Sequence, residues 1–555
     1  MRILKPILYT AIASVALASC KSVSSIPVPK GINAIVNMTA KKAPLTEEQA
    51  KTWGHLDLAT DSIPGMSVDK AYKFLEGKKG VEVIVGITDS GMDIEHEDLK
   101  DVIWTNPKEI AGNGIDDDKN GYIDDMHGWN FLGNKDGKMV VADQLEITRI
   151  VKRGMDKFGD KKASEIADAD KKDYEQFLKH KEEFEKSSAG KKRTATRLNQ
   201  ITEHFTRVKK FLGKDDFTAE DFKTVKPSDP KDVAAIADIS GLLSRGFSEK
   251  AFNEYKTNFE KNKHYALGFD SRQKMGDNLY DINDKYYGNN NVIGSKDDES
   301  HATHVGGIVG ETRNNGIGVN GVANNVKLMS VRVVPDGDEH DKDVALGIRY
   351  AVDNGAKVIN SSFGKAYSPN KQWVYDAIKY AESKDVLIVN AAGNDGANID
   401  VIYTFPNDSK DLKTEFTDNV LTIGAMSSSY NENLPAIFSN YGKINVDVFA
   451  PGVQVYSTVP KDHYAKYNGT SMAAPSAAGV AALVRSYYPE LSASQVKHIL
   501  MNSGTKINFD VIQPGSKSKE TPNGKMVPFS SLSVSGRIVN AYNALKMADR
   551  MVNGK

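Results

Sequence analysis

The 555-residue chain contains one cysteine, Cys20, so no disulfide can form within it. It also lacks an excess of either charge: 72 Lys and Arg stand against 73 Asp and Glu, for a net charge of −1. That balance gives no overall field to attract nucleic acid or acidic lipid, and no nucleic-acid partner is expected. The apolar run over residues 7–17 is too short to cross a bilayer. What the chain does have is length, enough to bury a large core and to hold more than one domain.

Arg2 and Lys5 precede the short apolar run, and Leu17-Ala18-Ser19-Cys20 closes it. Basic residues followed by a brief apolar core read as an export signal. Its ending resembles that of bacterial lipoprotein signals. The resemblance implies removal of residues 1–19, lipidation of Cys20, and anchoring by acyl chains rather than by a transmembrane helix. An ordinary secretory signal with a stray thiol is the alternative. Residues 20–50, rich in Ser, Pro and Lys and without periodicity, read as a tether.

Residues 81–88 are apolar, β-branched and nearly continuous, as in a strand buried on both faces of a parallel sheet. Similar strands are expected at 326–334, 357–361, 386–391 and 420–425. Helical patterns lie between several of them, at 343–354 and 371–384 for example, and further helices are expected at 67–75, 492–503 and 537–551. Ser492 and Gln495 fit a capping box. The alternation predicts an α/β fold with a doubly wound, mostly parallel sheet, in two parts at 51–133 and 277–555.

Residues 134–276 break the alternation. They are rich in Lys and Glu and poor in Pro and Gly, and Leu198, Ile201, Phe205 and Val208 recur at helical spacing. Tyr174, Phe177, Leu178 and Phe184 fit a helical face as well. An inserted helical subdomain is expected, its charges lying on solvated faces, with a substrate gate or a docking surface as the functional alternative.

Asp116-Asp117-Asp118-Lys119-Asn120-Gly121 opens like a calcium-binding loop, with oxygen-bearing side chains at positions 1, 3 and 5 before a glycine. The twelfth position is His127 rather than Glu, so Asp124 or Asp125 is expected to close the shell. Asp116, Asp118, Asn120, Tyr122, Asp124 and Asp125 are therefore the candidate ligands of a structural Ca2+, against the alternative of a solvated acidic turn.

Three further segments carry chemistry. Asp89 ends the first strong strand, His301 opens His-Ala-Thr-His-Val-Gly-Gly, and Ser471 lies in Gly-Thr-Ser-Met-Ala-Ala-Pro ahead of a run of small residues. A serine at a helix start has unpaired amides and a favourable dipole beside it. In the order Asp, His, Ser these segments resemble the subtilisin-like serine peptidases. The resemblance implies a nucleophile at Ser471, a general base at His301, an orienting carboxylate at Asp89, and an oxyanion donor at Asn394 within Asn-Ala-Ala-Gly-Asn. It also implies a substrate groove along Ser362, Phe363 and Gly364 on one side and Ala392 and Gly393 on the other. The groove would take an extended peptide by strand addition, and Phe363 favours an apolar or aromatic residue before the cut.

Residues 276–281 and 286–291 resemble the segment preceding the catalytic histidine in some bacterial members. Against the family pattern, Ala302 replaces the usual glycine after the histidine and could crowd the cleft. His304 is expected to be a packed structural residue rather than a zinc ligand. The expected function is a lipid-anchored serine endopeptidase acting on proteins or peptides. A catalytically silent binding lipoprotein of the same fold, or a peptide ligase or cyclase using the same acyl-enzyme, are the alternatives.

Overall fold

The computed structural model describes residues 41 and 43–554. The export signal, Cys20 and most of the expected tether lie outside the described residues. The first seven strands are β1 (Val83–Asp89), β2 (Gly128–Asn130), β3 (Val326–Arg332), β4 (Val358–Ser361), β5 (Leu387–Ala391), β6 (Val420–Met426) and β7 (Val448–Pro451). They are followed by β8 (Val455–Val459), β9 (His463–Tyr467), β10 (Thr505–Lys506), β11 (Asp510–Ile512), β12 (Met526–Pro528) and β13 (Arg537–Ile538).

Nine strands form one sheet in the order β10-β13-β7-β6-β5-β4-β1-β3-β2. Only the β10–β13 pair within it is antiparallel. From β1 the chain winds out to β3 on one side and to β4 on the other, which makes the C-terminal end of β1 a topological switch point. Side chains alternate across the strands. Val85, Val358 and Val389 enter a core with the helices His301–Gly310 and Thr470–Tyr487, whereas Ile359 and Ile388 enter one with Asp341–Asp353 and Lys371–Ser383. Burial on both faces is why these strands read as continuous apolar runs.

The remaining secondary structure refines the expectations. Ser492 and Gln495 do form a capping box on the helix Ala493–Ser503. The last helix is Ala541–Asn553 and does not begin at 537, because Arg537–Ile538 joins the sheet and Asn540 caps the helix by accepting from the Asn543 amide.

The segment between β2 and His301 holds the helices Glu146–Phe158, Lys171–Leu212, Pro230–Leu243 and Glu249–Lys261. Leu198, Ile201, Phe205 and Val208 pack with Ile239 and Phe252 in a core of their own. Phe177 and Phe184 join Ile147, Val151 and Phe158 in a second core, against which Tyr174 and Tyr367 are packed. Leu178, expected on the same face, is instead exposed, since it lies one residue round the helix from Phe177. Buried charges tie this layer to the sheet domain: Asp143 sits 2.9 Å from His340, and Arg149 donates to the Asp338 carbonyl at 2.9 Å. Charges so deeply buried persist only when partnered. No helix of the described residues is long and apolar enough to cross a membrane.

Candidate active site

Asp89 is the last residue of β1 and His301 the first of its helix. The His301 Nδ1 to Asp89 Oδ1 distance is 2.7 Å, and the Ser90 amide donates to the same oxygen at 2.7 Å. Asp89 is buried while the imidazole keeps 37% of its side chain exposed, so the ring bridges the sheet and solvent. Burial disfavours the imidazolium, but the charge of Asp89 and its hydrogen bond outweigh this and raise the His301 pKa above its ordinary value.

Ser471 is the second residue of the helix Thr470–Tyr487. Its Oγ donates to the Ser362 carbonyl at 3.0 Å, and Ser362 Oγ donates back to the Ser471 carbonyl at 2.8 Å. Pro475 explains the second bond. It lies beyond the first helical turn, and having no amide it leaves the carbonyl four residues earlier without its helical donor. That carbonyl belongs to Ser471, and Ser362 supplies the missing proton.

Ser362 follows Ser361 of β4, whose registered neighbour is Thr88 of β1, one residue before Asp89. Neighbouring strands lie about 4.8 Å apart, so Ser471 is hydrogen-bonded to the strand end beside the one that carries Asp89. In this structure the Ser471 proton points to Ser362 rather than to the imidazole. Asn394 Oδ1 accepts from the Thr470 amide at 2.8 Å and from Thr470 Oγ1 at 3.0 Å. With its oxygen committed on that side, the Asn394 amide nitrogen remains a donor beside Ser471.

Ser471, Thr470 and Asn394 line one cavity of about 630 Å³ with Phe363, Gly364, Ala392 and Gly393. The expected groove residues are thereby brought together, except that Ser362 is buried and braces Ser471 through its carbonyl. Gly393 has φ +103°, and a Cβ there would meet Asn440 Nδ2 at 2.3 Å, so no side chain fits. The cavity has a further wall that sequence reasoning missed, from Ile147, Glu183, Ser187 and Tyr265 of the helical layer.

Ala302 does not crowd the cleft, because its methyl is buried in the core beneath the His301 helix. His304 is fully buried, stacks on Tyr467 at 4.3 Å, and its Nε2 lies 3.1 Å from the Val455 and Ala465 carbonyls. Burial foremost lowers its pKa to about 4, so it packs as a neutral ring. Glu311, just after this helix, was not singled out by any motif. It accepts from Ser457 Oγ at 2.8 Å and from the Thr458 amide at 2.6 Å, and burial pushes its carboxyl up to about 8.

Two of the expected calcium ligands cluster with an acid from outside the loop. Asp118 and Asp125 come together with Glu109, each offering an oxygen within 4.8 Å of the others. Asp116 accepts from the Asn120 and Gly121 amides, and Asp124 from those of Asn113 and Gly114. Asn120 donates from its amide nitrogen to Asp125, and the Tyr122 ring packs with Trp129 and Tyr350. Gly121, at φ +98°, leaves room for Tyr286, which a Cβ would strike. Glu109 Oε2 is buried with no hydrogen-bond partner, and burial foremost, with the Asp118 charge adding to it, brings Asp125 up to about 6. Crowded carboxylates with an unpartnered buried oxygen fit a hard cation.

The Subtilase family profile matches residues 80–524. The cell wall-associated protease of Bacillus subtilis (strain 168) is 37% identical over 238 residues, which cover 43% of this chain and 24% of that protein, so the match spans about a quarter of that relative's length. Subtilisin DY of Bacillus licheniformis is 38% identical over 212 residues, covering 38% of this chain and 72% of that protein. Among solved structures, a protease from Pseudoalteromonas arctica aligns at 31% identity with a TM-score of 0.35, over 45% of this chain and 70% of that one.

Proposed function

The chain belongs to the subtilase family of serine-type endopeptidases, and we propose that it hydrolyses extended segments of proteins through an acyl-enzyme on Ser471. The observation that carries this reading is the placement of Ser471 against Ser362, beside the strand whose Asp89 holds His301 at 2.7 Å. Rotation about the Ser471 side chain exchanges the Ser362 carbonyl for the imidazole as proton acceptor. Oγ then attacks the peptide carbonyl carbon as its proton passes to His301, and Asp89 stabilises the cation. The C–N bond breaks as His301 returns the proton to the leaving amine. Water repeats the sequence on the ester, releasing the acid and restoring Ser471. Asn394 and the Ser471 amide would donate to the oxyanion, in a cleft where fixed donors act more strongly than water does.

Glu109, Asp118 and Asp125 would hold Ca2+ within this reading, and the ion would supply structural bracing rather than chemistry. Export and anchoring through Cys20 belong to the same proposal and rest on residues 1–20. A serine-directed fluorophosphonate should label the wild type and not Ser471→Ala, and a denatured proteome should be digested by the former alone. A wild-type protein that neither labels nor cleaves would identify a silent binding lipoprotein instead. Radiolabelled palmitate incorporated by the wild type and not by Cys20→Ser would test the anchor.

A further inference from the structure

The helix Lys171–Leu212 brings Glu183 and Ser187 into the cavity that holds Ser471 and Phe363. Glu183 is exposed yet held, because the Tyr367 hydroxyl donates to its Oε2 and the His180 ring packs edge-on against Tyr367 at 5.2 Å. Burial, and then the hydrogen bond to Glu183 and its charge, raise the Tyr367 pKa, so the phenol stays a donor at neutral pH. Asp338 and Asp395 line the same cavity. Lys365, the sole cation among its described lining residues, has a side chain only 2% exposed. Its ammonium lies 2.8 Å from Asp341 and donates to the Glu339 carbonyl at 2.6 Å. Its charge is thus spent beneath the wall, burial holds the Asp338 carboxyl above its ordinary range, and the exposed carboxylates of Glu183 and Asp395 are the charge the cleft presents to a substrate.

Resting on the endopeptidase reading above, we propose that Glu183 is a specificity residue that selects protein segments carrying Lys or Arg upstream of the residue at the cut. A carboxylate with one phenolic donor keeps lone pairs for an ammonium or guanidinium. Glu183 is exposed, so the pair would contribute what a well-placed surface ion pair does, about 1 kcal/mol or roughly fivefold. Phe363 takes the apolar residue at the cut, and the cation lies toward the helical wall.

Cleavage profiling of a peptide library with the wild type, Glu183→Gln, Glu183→Lys and Tyr367→Phe tests the assignment, with circular dichroism to verify folding. The wild type should enrich Lys and Arg at an upstream position. In Glu183→Gln the ratio of kcat/KM for a Lys peptide over its Gln counterpart should fall on the order of fivefold. Glu183→Lys should reverse the preference toward Asp and Glu, and Tyr367→Phe should weaken it partly. Active wild type indifferent to upstream charge, or an unchanged ratio in Glu183→Lys, overturns the role of Glu183 and leaves the endopeptidase reading standing. A wild type that is folded but neither cleaves nor labels with fluorophosphonate overturns both.

Discussion

Ser362 and Ser471 exchange hydrogen bonds, each hydroxyl donating to the other's carbonyl, at 3.0 Å from Ser471 and 2.8 Å from Ser362. The bond from Ser362 replaces a helical one that Pro475 cannot make. Ser362→Ala should therefore leave the Ser471 carbonyl short of a donor, at about 1–3 kcal/mol. A lower melting temperature together with a lower kcat is the expected result. Unchanged values of both would show that the exchange holds nothing in place.

Asn394 has two duties that substitutions can separate. Its oxygen accepts from Thr470 at the start of the Ser471 helix, and its nitrogen is the proposed oxyanion donor. Asn394→Ala should lower kcat by on the order of 10²–10³. It should also cost about 1 kcal/mol of stability through the lost cap. Asn394→Asp keeps an acceptor and loses the donor, so it should retain the melting temperature and still lose turnover.

His301 works as a base only when neutral. Its pKa is raised, so the proton is held to higher pH than on an ordinary imidazole. The acidic limb of kcat/KM should rise with pH at a midpoint above the ordinary histidine range. Asp89→Asn removes the charge that raises it, and any residual activity should show this midpoint moved down. A wild-type limb below the ordinary range would contradict the Asp89 pairing.

Glu311 makes stability depend on pH in the opposite sense to a salt-bridged acid. Its pKa rises from 4.5 to about 8 on folding, so folding takes up a proton. The associated stability is fully present below the unfolded-state value and is lost as pH rises through about 8. Glu311→Gln should flatten the fall in melting temperature between mildly acidic and alkaline buffers, as thermal scans at several pH values would show.

Chelation should lower the melting temperature if Glu109, Asp118 and Asp125 share a cation, and added Ca2+ should restore it. Saturation at 100 times the dissociation constant corresponds to about 2.7 kcal/mol. Glu109→Gln and Asp118→Asn should abolish the response, whereas Asp116→Asn, whose native carboxylate caps loop amides, should retain it. Equal responses from all three variants would refute this ligand set.

The placements of Asp89, His301 and Ser471 were legible because each sits in a short local pattern, a strand end or a helix start, that sequence alone displays. The buried strands were legible for the same reason. Glu109 was not, since it precedes the loop and reaches Asp118 and Asp125 only once the chain folds back. Glu183 looked like one more charge on a solvated helix, and nothing near it in sequence signals Tyr367, the distant residue it meets. Arg537–Ile538 was read as helix because only two residues pair with the sheet, too few to show an alternation of period two. Leu178 was placed on the buried face because helical spacing tolerates a one-residue ambiguity that packing then resolves.

The self-contained core around Phe205 and Phe252 separates the labour within the molecule. Bond breaking is assigned to residues fixed by the sheet and the Thr470–Tyr487 helix, while part of the cleft wall hangs from helices that bury their own apolar side chains. The part of this appendage around Phe205 and Phe252 can drift in sequence or lengthen without touching the buried charges that tie its base to the sheet domain. Diet and chemistry can therefore evolve at different speeds on one polypeptide.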